Sequence, residues 1–103
     1  MLKYSKIRRF TLLRRIFMVK LWARTIKDHK TIKQYDFKRD EQLEWAAFYG
    51  YVRDICHEMD LSTPIITKTH LFNFAKFNFV RFLKSDFVES VDFDYLVIEN
   101  VNK

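Results

Sequence analysis

Alternating hydrophobic and polar positions near the start of the chain predict two β-strands. Residues 19–27 are rich in β-branched and aromatic side chains, and Trp22, Arg24 and Ile26 are predicted to share one face. Residues 31–37 alternate in the same way, and the three polar residues between the two stretches predict a hairpin turn. Because no glycine marks this turn, the prediction depends on the alternation alone.

The clearest helical pattern runs from Asp40 to Asp60, where apolar residues recur at four-residue spacing. We therefore predict one long amphipathic helix with Asp40 as its N-cap. Gly50 lies inside it and costs about 1 kcal/mol relative to alanine, which a close contact between helix and sheet would explain. Pro64 prevents the helix from continuing. The predicted buried stripe comprises Leu43, Ala47, Phe48, Tyr51, Val52, Ile55, Cys56 and Met59.

A phenylalanine-rich segment follows the predicted helix. Thr69 is the predicted N-cap of a short helix ending near Phe77, residues 79–82 are predicted to be extended, and Ser85 is predicted to begin another short helix. Residues 93–101 alternate as a final strand.

The resulting fold class is α+β: a small antiparallel sheet, made of the N-terminal hairpin and the C-terminal strand, packed on one long helix with short helices between. The sheet is predicted to have three strands. One face of such a sheet is usually open to solvent, although the phenylalanine-rich segment is a second candidate to cover it.

Length and composition indicate one domain with its own core. The chain has 103 residues, of which 49% are hydrophobic, so the composition is not that of a disordered protein. Cys56 is the only cysteine, which excludes an internal disulfide and favours a reducing, cytoplasmic location. We predict that Cys56 is a small buried residue on the helix.

The positive charge is concentrated in residues 1–17, which hold six basic residues and no acidic one. A secretory signal is excluded because Arg14 and Arg15 interrupt the apolar stretch. A membrane-surface helix is disfavoured because basic and apolar residues interleave around the helix. A basic arm that binds nucleic acid stays open.

We prefer a different interpretation, in which translation starts at Met18. Residues 14–18 can be encoded as AGG-AGA-AUU-UUU-AUG, a purine-rich ribosome-binding sequence before a start codon. The expected organisation is a basic extension at residues 1–17 and a single α+β domain at residues 18–103.

No motif in the sequence indicates catalysis, a metal site or a cofactor. The three histidines have no metal-ligand spacing, and a single glycine leaves no loop that could cradle a phosphate. We therefore predict that the protein is not an enzyme. The competing enzyme hypothesis requires a pocket lined by Arg81, His70 and either Asp92 or Asp94.

Residues 77–82 resemble the core of the RNP1 motif, in which strand aromatics stack on RNA bases. Ala75, Lys76 and Asn78 depart from that motif. An RNA-recognition domain also requires a helix and a strand after RNP1, and only 21 residues remain. A phenylalanine-rich core segment is the favoured interpretation.

From Met18 onward the chain resembles a family of short uncharacterised bacterial proteins, mainly from Gram-positive anaerobes. The resemblance lies in Lys20-Leu21-Trp22, the stretch at residues 55–61 followed by Pro64, the pair Arg81-Phe82, and Phe93-Asp94-Tyr95-Leu96. It implies a cytosolic α+β fold and a start at Met18, and it implies no activity.

The function expected from the sequence is that of a small cytosolic, non-catalytic interaction or structural domain with an unknown protein partner. Trp22 and Arg81 are the candidate contact residues on an exposed sheet face. A buried Trp22 is the competing interpretation. Nucleic-acid binding through the basic arm and Arg81 among aromatics is the alternative function, and a membrane is not expected as a partner.

Overall fold

The computed structural model describes residues 18–102, which form a four-stranded antiparallel sheet with two helices. The chain order is β1 (Val19–Lys27), β2 (Lys30–Arg39), a 3-10 turn (Trp45–Ala47), α1 (Phe48–Glu58), α2 (Lys68–Phe77), β3 (Phe79–Leu83), a 3-10 turn (Lys84–Asp86) and β4 (Tyr95–Asn100). The strand order across the sheet is β2-β1-β4-β3, so β2 and β3 are its two edges. The predictions about residues 1–17 fall outside the described residues.

The predicted hairpin is confirmed, and its turn is tighter than expected. Only Asp28 and His29 lie between the strands, and both have positive φ, at 52° and 65°. Two such residues are typical of a type I′ turn, whose twist matches that of the strands. The Asp94 carboxylate accepts the Asp28 N–H at 2.9 Å, which ties the turn to the segment before β4.

The prediction of one long helix from Asp40 to Asp60 is wrong, because α1 begins only at Phe48. The Tyr51 hydroxyl donates to the Glu41 carboxylate at 2.9 Å. In a continuous helix these residues would be about 15 Å apart along the axis, so the bond requires the chain to fold back. Glu44 accordingly has extended backbone angles. Burial, together with the bond to Glu41, raises the pKa of Tyr51 to about 12.

The sheet has one strand more than predicted. The final strand pairs antiparallel with β1, as expected, although it begins at Tyr95 rather than Phe93. The extended stretch at Phe79–Leu83 pairs with the other side of β4 and becomes an edge. Phe93 lies before the strand, where its buried ring meets Phe87 edge-on at 5.3 Å.

Helix α2 begins earlier than predicted, because Thr67 rather than Thr69 is its N-cap. The Thr67 hydroxyl accepts the His70 N–H, and the His70 ring accepts the Thr67 N–H, which completes a capping box. The helix ends at Phe77, and the following Asn78 caps it with a left-handed backbone conformation at φ 64°. The short helix expected from Ser85 is a single 3-10 turn at Lys84–Asp86.

Both helices pack on the same face of the sheet, and the phenylalanine-rich segment does not cover the other face. Its buried members are Phe74, Phe82 and Phe87, whereas Phe72, Phe77 and Phe79 are exposed. The Phe48 and Phe74 rings lie 5.1 Å apart and join the two helices. Beneath them, Phe37 contacts Tyr51 at 5.4 Å and Phe82 contacts His70 at 4.5 Å. The predicted stripe of α1 faces this core, with Tyr51, Val52, Ile55 and Cys56 buried.

A close contact between helix and sheet does not explain Gly50. A Cβ built there would meet only the Arg53 guanidinium, at 3.7 Å. This glycine therefore lowers helix propensity without a packing reason among the described residues.

A candidate interaction surface at the edge formed by β3

Trp22 lies on the open face of the sheet, with Arg24 on the same face, and is half-buried there. The Arg24 guanidinium lies 4.1 Å from the centre of its ring, and Arg24 also pairs with Glu99 at 3.6 Å. The indole N–H donates to Gln34 at 3.3 Å. Side chains of the same face already contact Trp22, so its ring is not a free anchor.

Arg81 lies on the same open face, two strands away from Trp22 across β4. Its guanidinium lies 5.6 Å from the Phe79 ring and 5.3 Å from the Tyr95 ring. No carboxylate among the described residues forms an ion pair with it. Arg81 is exposed, so this charge is available to a partner.

The hydrogen-bond ladder directs backbone groups of β3 away from the sheet. The Asn100 N–H donates to the Asn78 carbonyl and the Lys84 N–H donates to the Asp94 carbonyl. In an antiparallel pair the bonded residues alternate. Val80 and Phe82 therefore bond to β4, whereas the N–H groups of Phe79 and Arg81 and the carbonyls of Phe79, Arg81 and Leu83 point outward.

Asp86 ends this free edge. Its carboxylate accepts the Leu83 N–H at 2.8 Å, so that donor is occupied. The same oxygen lies 3.2 Å from Nε2 of His70, whose Nδ1 is held by Thr67. This chain of contacts joins the start of α2 to the end of β3 and fixes the two walls of the surface relative to each other.

Apolar side chains and a cleft accompany the free edge. The cleft has a volume of about 290 Å³ and is bounded by α2 and β3, which places it at the small end of ligand pockets. Its lining residues are Asn73, Phe77, Phe79, Val80, Arg81 and Leu83. The exposed apolar side chains of the region are Phe72 at 60%, Phe77 at 52%, Phe79 at 38% and Leu83 at 51%.

The one charged residue that lines the cleft is Arg81, whereas the nearby carboxylates already have partners: Glu99, opposite Phe79, pairs with Arg24, and Asp86 accepts the Leu83 N–H. Lys76 lies 5.6 Å from the Phe72 ring and 5.4 Å from the Phe77 ring, beside the cleft. We call this combination of free edge, apolar cleft and basic side chains the β3-edge surface; its members are Phe72, Asn73, Lys76, Phe77, Phe79, Arg81 and Leu83.

Sequence reasoning named Arg81 as a candidate contact residue and did not name the other members of the β3-edge surface. The available signal was the stretch at residues 77–83, in which apolar residues occupy both faces of a predicted strand. A strand with one buried face should be polar on the other. Phe79 and Leu83 break that rule on either side of Arg81.

The residues of the enzyme hypothesis do not converge. His70 is buried on the helix-covered face, whereas Arg81 is on the open face. Asp94 holds the hairpin turn, and Asp92 lines a separate cleft of about 380 Å³. Within residues 18–102, no three His, Cys, Asp or Glu side chains are grouped to hold a metal. Burial raises the pKa of the Cys56 thiol to about 12, which keeps it protonated at neutral pH.

Comparison with known proteins gives no relative for this chain: no protein-family model, curated protein or solved structure matches it. Over the part of the chain that the structure describes, neither helix has the length and apolar character needed to cross a membrane.

Proposed function

We propose that this protein is a non-catalytic interaction domain that binds an extended segment of a partner protein along β3. The observation that carries the proposal is the row of outward N–H and C=O groups on Phe79 and Arg81 beside an apolar cleft. An added strand satisfies such groups through main-chain hydrogen bonds, and neighbouring pockets select its side chains.

The position of α2 supports this binding mode. An extended segment needs a wall beside the edge as well as the edge itself, because hydrogen bonds exchanged with water contribute little net affinity. Phe77 and Asn73 provide that wall, and the exposed Phe79 and Leu83 rings and methyl groups offer apolar area on the opposite side. Burying this area supplies the driving force for binding.

A displayed library of random nine-residue peptides, selected on the full chain, tests the proposal. Selected peptides are expected to bind the wild-type protein and to lose at least about tenfold in affinity with Arg81→Pro, which removes an outward N–H without disturbing the ladder to β4. On binding, the Phe79 and Arg81 amides should become protected from hydrogen exchange.

Lys38→Pro is the matched control. Lys38 is also basic, lies on the open face and, by the same alternation, directs its N–H outward from β2. Peptides that bind Arg81→Pro as well as wild type, or that protect β2 amides instead, would refute strand addition at β3. A library that yields no binder would count against it as well.

Nucleic-acid binding is the second candidate, and one observation favours it: Arg81, Phe79 and Tyr95 group a cation with two aromatic rings on an open sheet face. Such faces can bind single strands by base stacking. The test is a gel shift with a single-stranded RNA, comparing the full chain with a chain that begins at Met18. Binding that weakens with salt supports this candidate, and absence of binding by both chains at every salt concentration removes it.

We also propose a cytoplasmic location, which the single free Cys56 supports, since its buried thiol needs no oxidising compartment. Membership of the family of short bacterial proteins and a start at Met18 remain proposals. Mass spectrometry of the natural protein tests the start, because a mass that includes residues 1–17 would contradict it.

A further inference from the structure

We infer that the segment bound by the β3-edge surface carries an acidic residue opposite Arg81 and large apolar residues two positions to either side. This inference rests on the proposed strand addition and specifies the chemistry of the partner. The occupant is an acidic, extended protein segment.

The alternation of side chains along β3 sets this pattern. Phe79, Arg81 and Leu83 project from the open face, so residues of a neighbouring strand directly opposite them project from the same face. Opposite residues have Cβ atoms about 5 Å apart, close enough for a carboxylate to reach a guanidinium. Apolar residues at the flanking positions would cover Phe79 and Leu83.

The charge of the region favours a carboxylate at the central position. Arg81 has no acidic partner among residues 18–102, and Glu99, the acid nearest in register on β4, pairs with Arg24. Lys76, beside the Phe72 and Phe77 rings, adds a second positive charge that can attract further negative charge on the segment.

Two other occupants fit poorly. A second copy of the chain paired through β3 about a two-fold axis centred on this strand would place Arg81 opposite Arg81, and like charges directly opposite are destabilising. Residues 1–17 carry six basic residues and no acid, so they do not offer the carboxylate either.

Three capped nine-residue peptides test the inference on the full chain. Each has phenylalanine and leucine two positions from the centre, valine between and threonine elsewhere, and the central residue is Glu, Gln or Lys. We expect the Glu peptide to bind about threefold to fivefold more tightly than the Gln peptide, and the Lys peptide to bind more weakly still. Binding is measured by fluorescence anisotropy.

Arg81→Glu provides the reciprocal measurement, because a change on the exposed face leaves the core intact. The order of the three peptides should reverse, with Lys preferred over Glu, and added salt should reduce the preference in both proteins. Lys38→Glu, on the other edge, should leave the wild-type order unchanged.

The outcomes distinguish failure of the acidic preference from failure of strand addition at β3. Equal affinity of the three peptides, with loss of all binding in Arg81→Pro, would overturn the acidic preference and leave strand addition standing. No binding of any peptide to the wild-type chain, or a dimer in sedimentation that Arg81→Pro dissociates, would overturn the inference, the latter in favour of a second copy.

Discussion

The two edges of the sheet differ in how they meet solvent. The edge strand β2 has ten residues, five of them charged, whereas β3 has five residues and one charge. Charged side chains along an edge strand discourage pairing with other chains. The charged residues of β2 therefore discourage another chain from pairing with that edge, whereas β3 has a single charged residue and lacks this protection.

The neighbouring helices reinforce this difference. Next to β2, Arg39 lies 4.2 Å from the Phe37 ring and pairs with Asp54 of α1 at 3.3 Å, so polar groups close that side. Next to β3, α2 presents Phe77 and Asn73 and leaves a cleft. Both edge strands pack on the same core, so the core does not distinguish them. The difference lies in the exposed side chains of each edge strand and of the helix beside it.

The largest expected effect tests that shared core. Phe82→Ala under β3 and Phe37→Ala under β2 remove rings that are almost completely buried, so each should lower the free energy of unfolding by about 4 kcal/mol in urea denaturation. The exposed controls Leu83→Ala and Ile32→Ala should each cost less than about 0.5 kcal/mol. A cost below about 1 kcal/mol for Phe82→Ala alone would mean that β3 is only loosely attached.

Alkaline pH tests the core between the helices and the sheet, where the Cys56 thiol is buried. Burial raises the pKa of Cys56 from 9.0 to about 12, so the unfolded chain releases this proton at lower pH than the folded chain does. Stability is therefore lost as pH rises above about 9, and this thiol should account for roughly 3 kcal/mol between about pH 8 and pH 11.

The measurement is urea unfolding of wild type and Cys56→Ala across that pH range. The stability difference between the two proteins should shift in favour of Cys56→Ala as pH rises. A constant difference would show that Cys56 ionises as readily in the folded state. The raised pKa of Tyr51 acts in the same direction above about pH 10 and is present in both proteins.

A smaller effect distinguishes the polar contacts at the β3 edge from those at the β2 edge. Asp86→Ala removes the acceptor of the Leu83 N–H and the contact with His70, so it should cost about 2 kcal/mol in thermal or urea unfolding. Asp54→Ala removes a more exposed pair with Arg39 and should cost less than about 1 kcal/mol. Equal costs would contradict the view that Asp86 fixes the end of the β3 edge.

The smallest effect concerns α1, the helix that supplies the Tyr51 ring against Phe37 of β2. Because a Cβ at position 50 meets only the Arg53 side chain, Gly50→Ala should raise the free energy of unfolding by about 1 kcal/mol. Ala75→Gly, at an exposed position of α2, should lower it by a similar amount and serves as the reverse control. A destabilised Gly50→Ala protein would indicate a contact at this position that the structure does not contain.

Local patterns predicted the strands well because successive side chains of a strand point to opposite faces, which gives a simple alternation in the sequence. The range of β1 followed from the sequence, and so did the buried side of α1. The start of α1 did not, because the bond from Tyr51 to Glu41 joins side chains ten residues apart and outweighs the local helical preference of residues 41–44.

The candidate site was the least predictable part. Arg81 was identified from its aromatic neighbours in sequence, but its status as an edge residue depends on β3 pairing with β4 and with nothing else among the described strands. The same residues in a central strand would have no outward backbone groups to offer.

The α+β class, the antiparallel hairpin and the buried side of α1 could be predicted from local patterns, because periodicity and composition act over a few neighbouring residues. The start of the first helix, the identity of the two edge strands and the position of α2 beside β3 became clear only from the fold. Those features depend on contacts between residues far apart in the chain, and no local pattern specifies them.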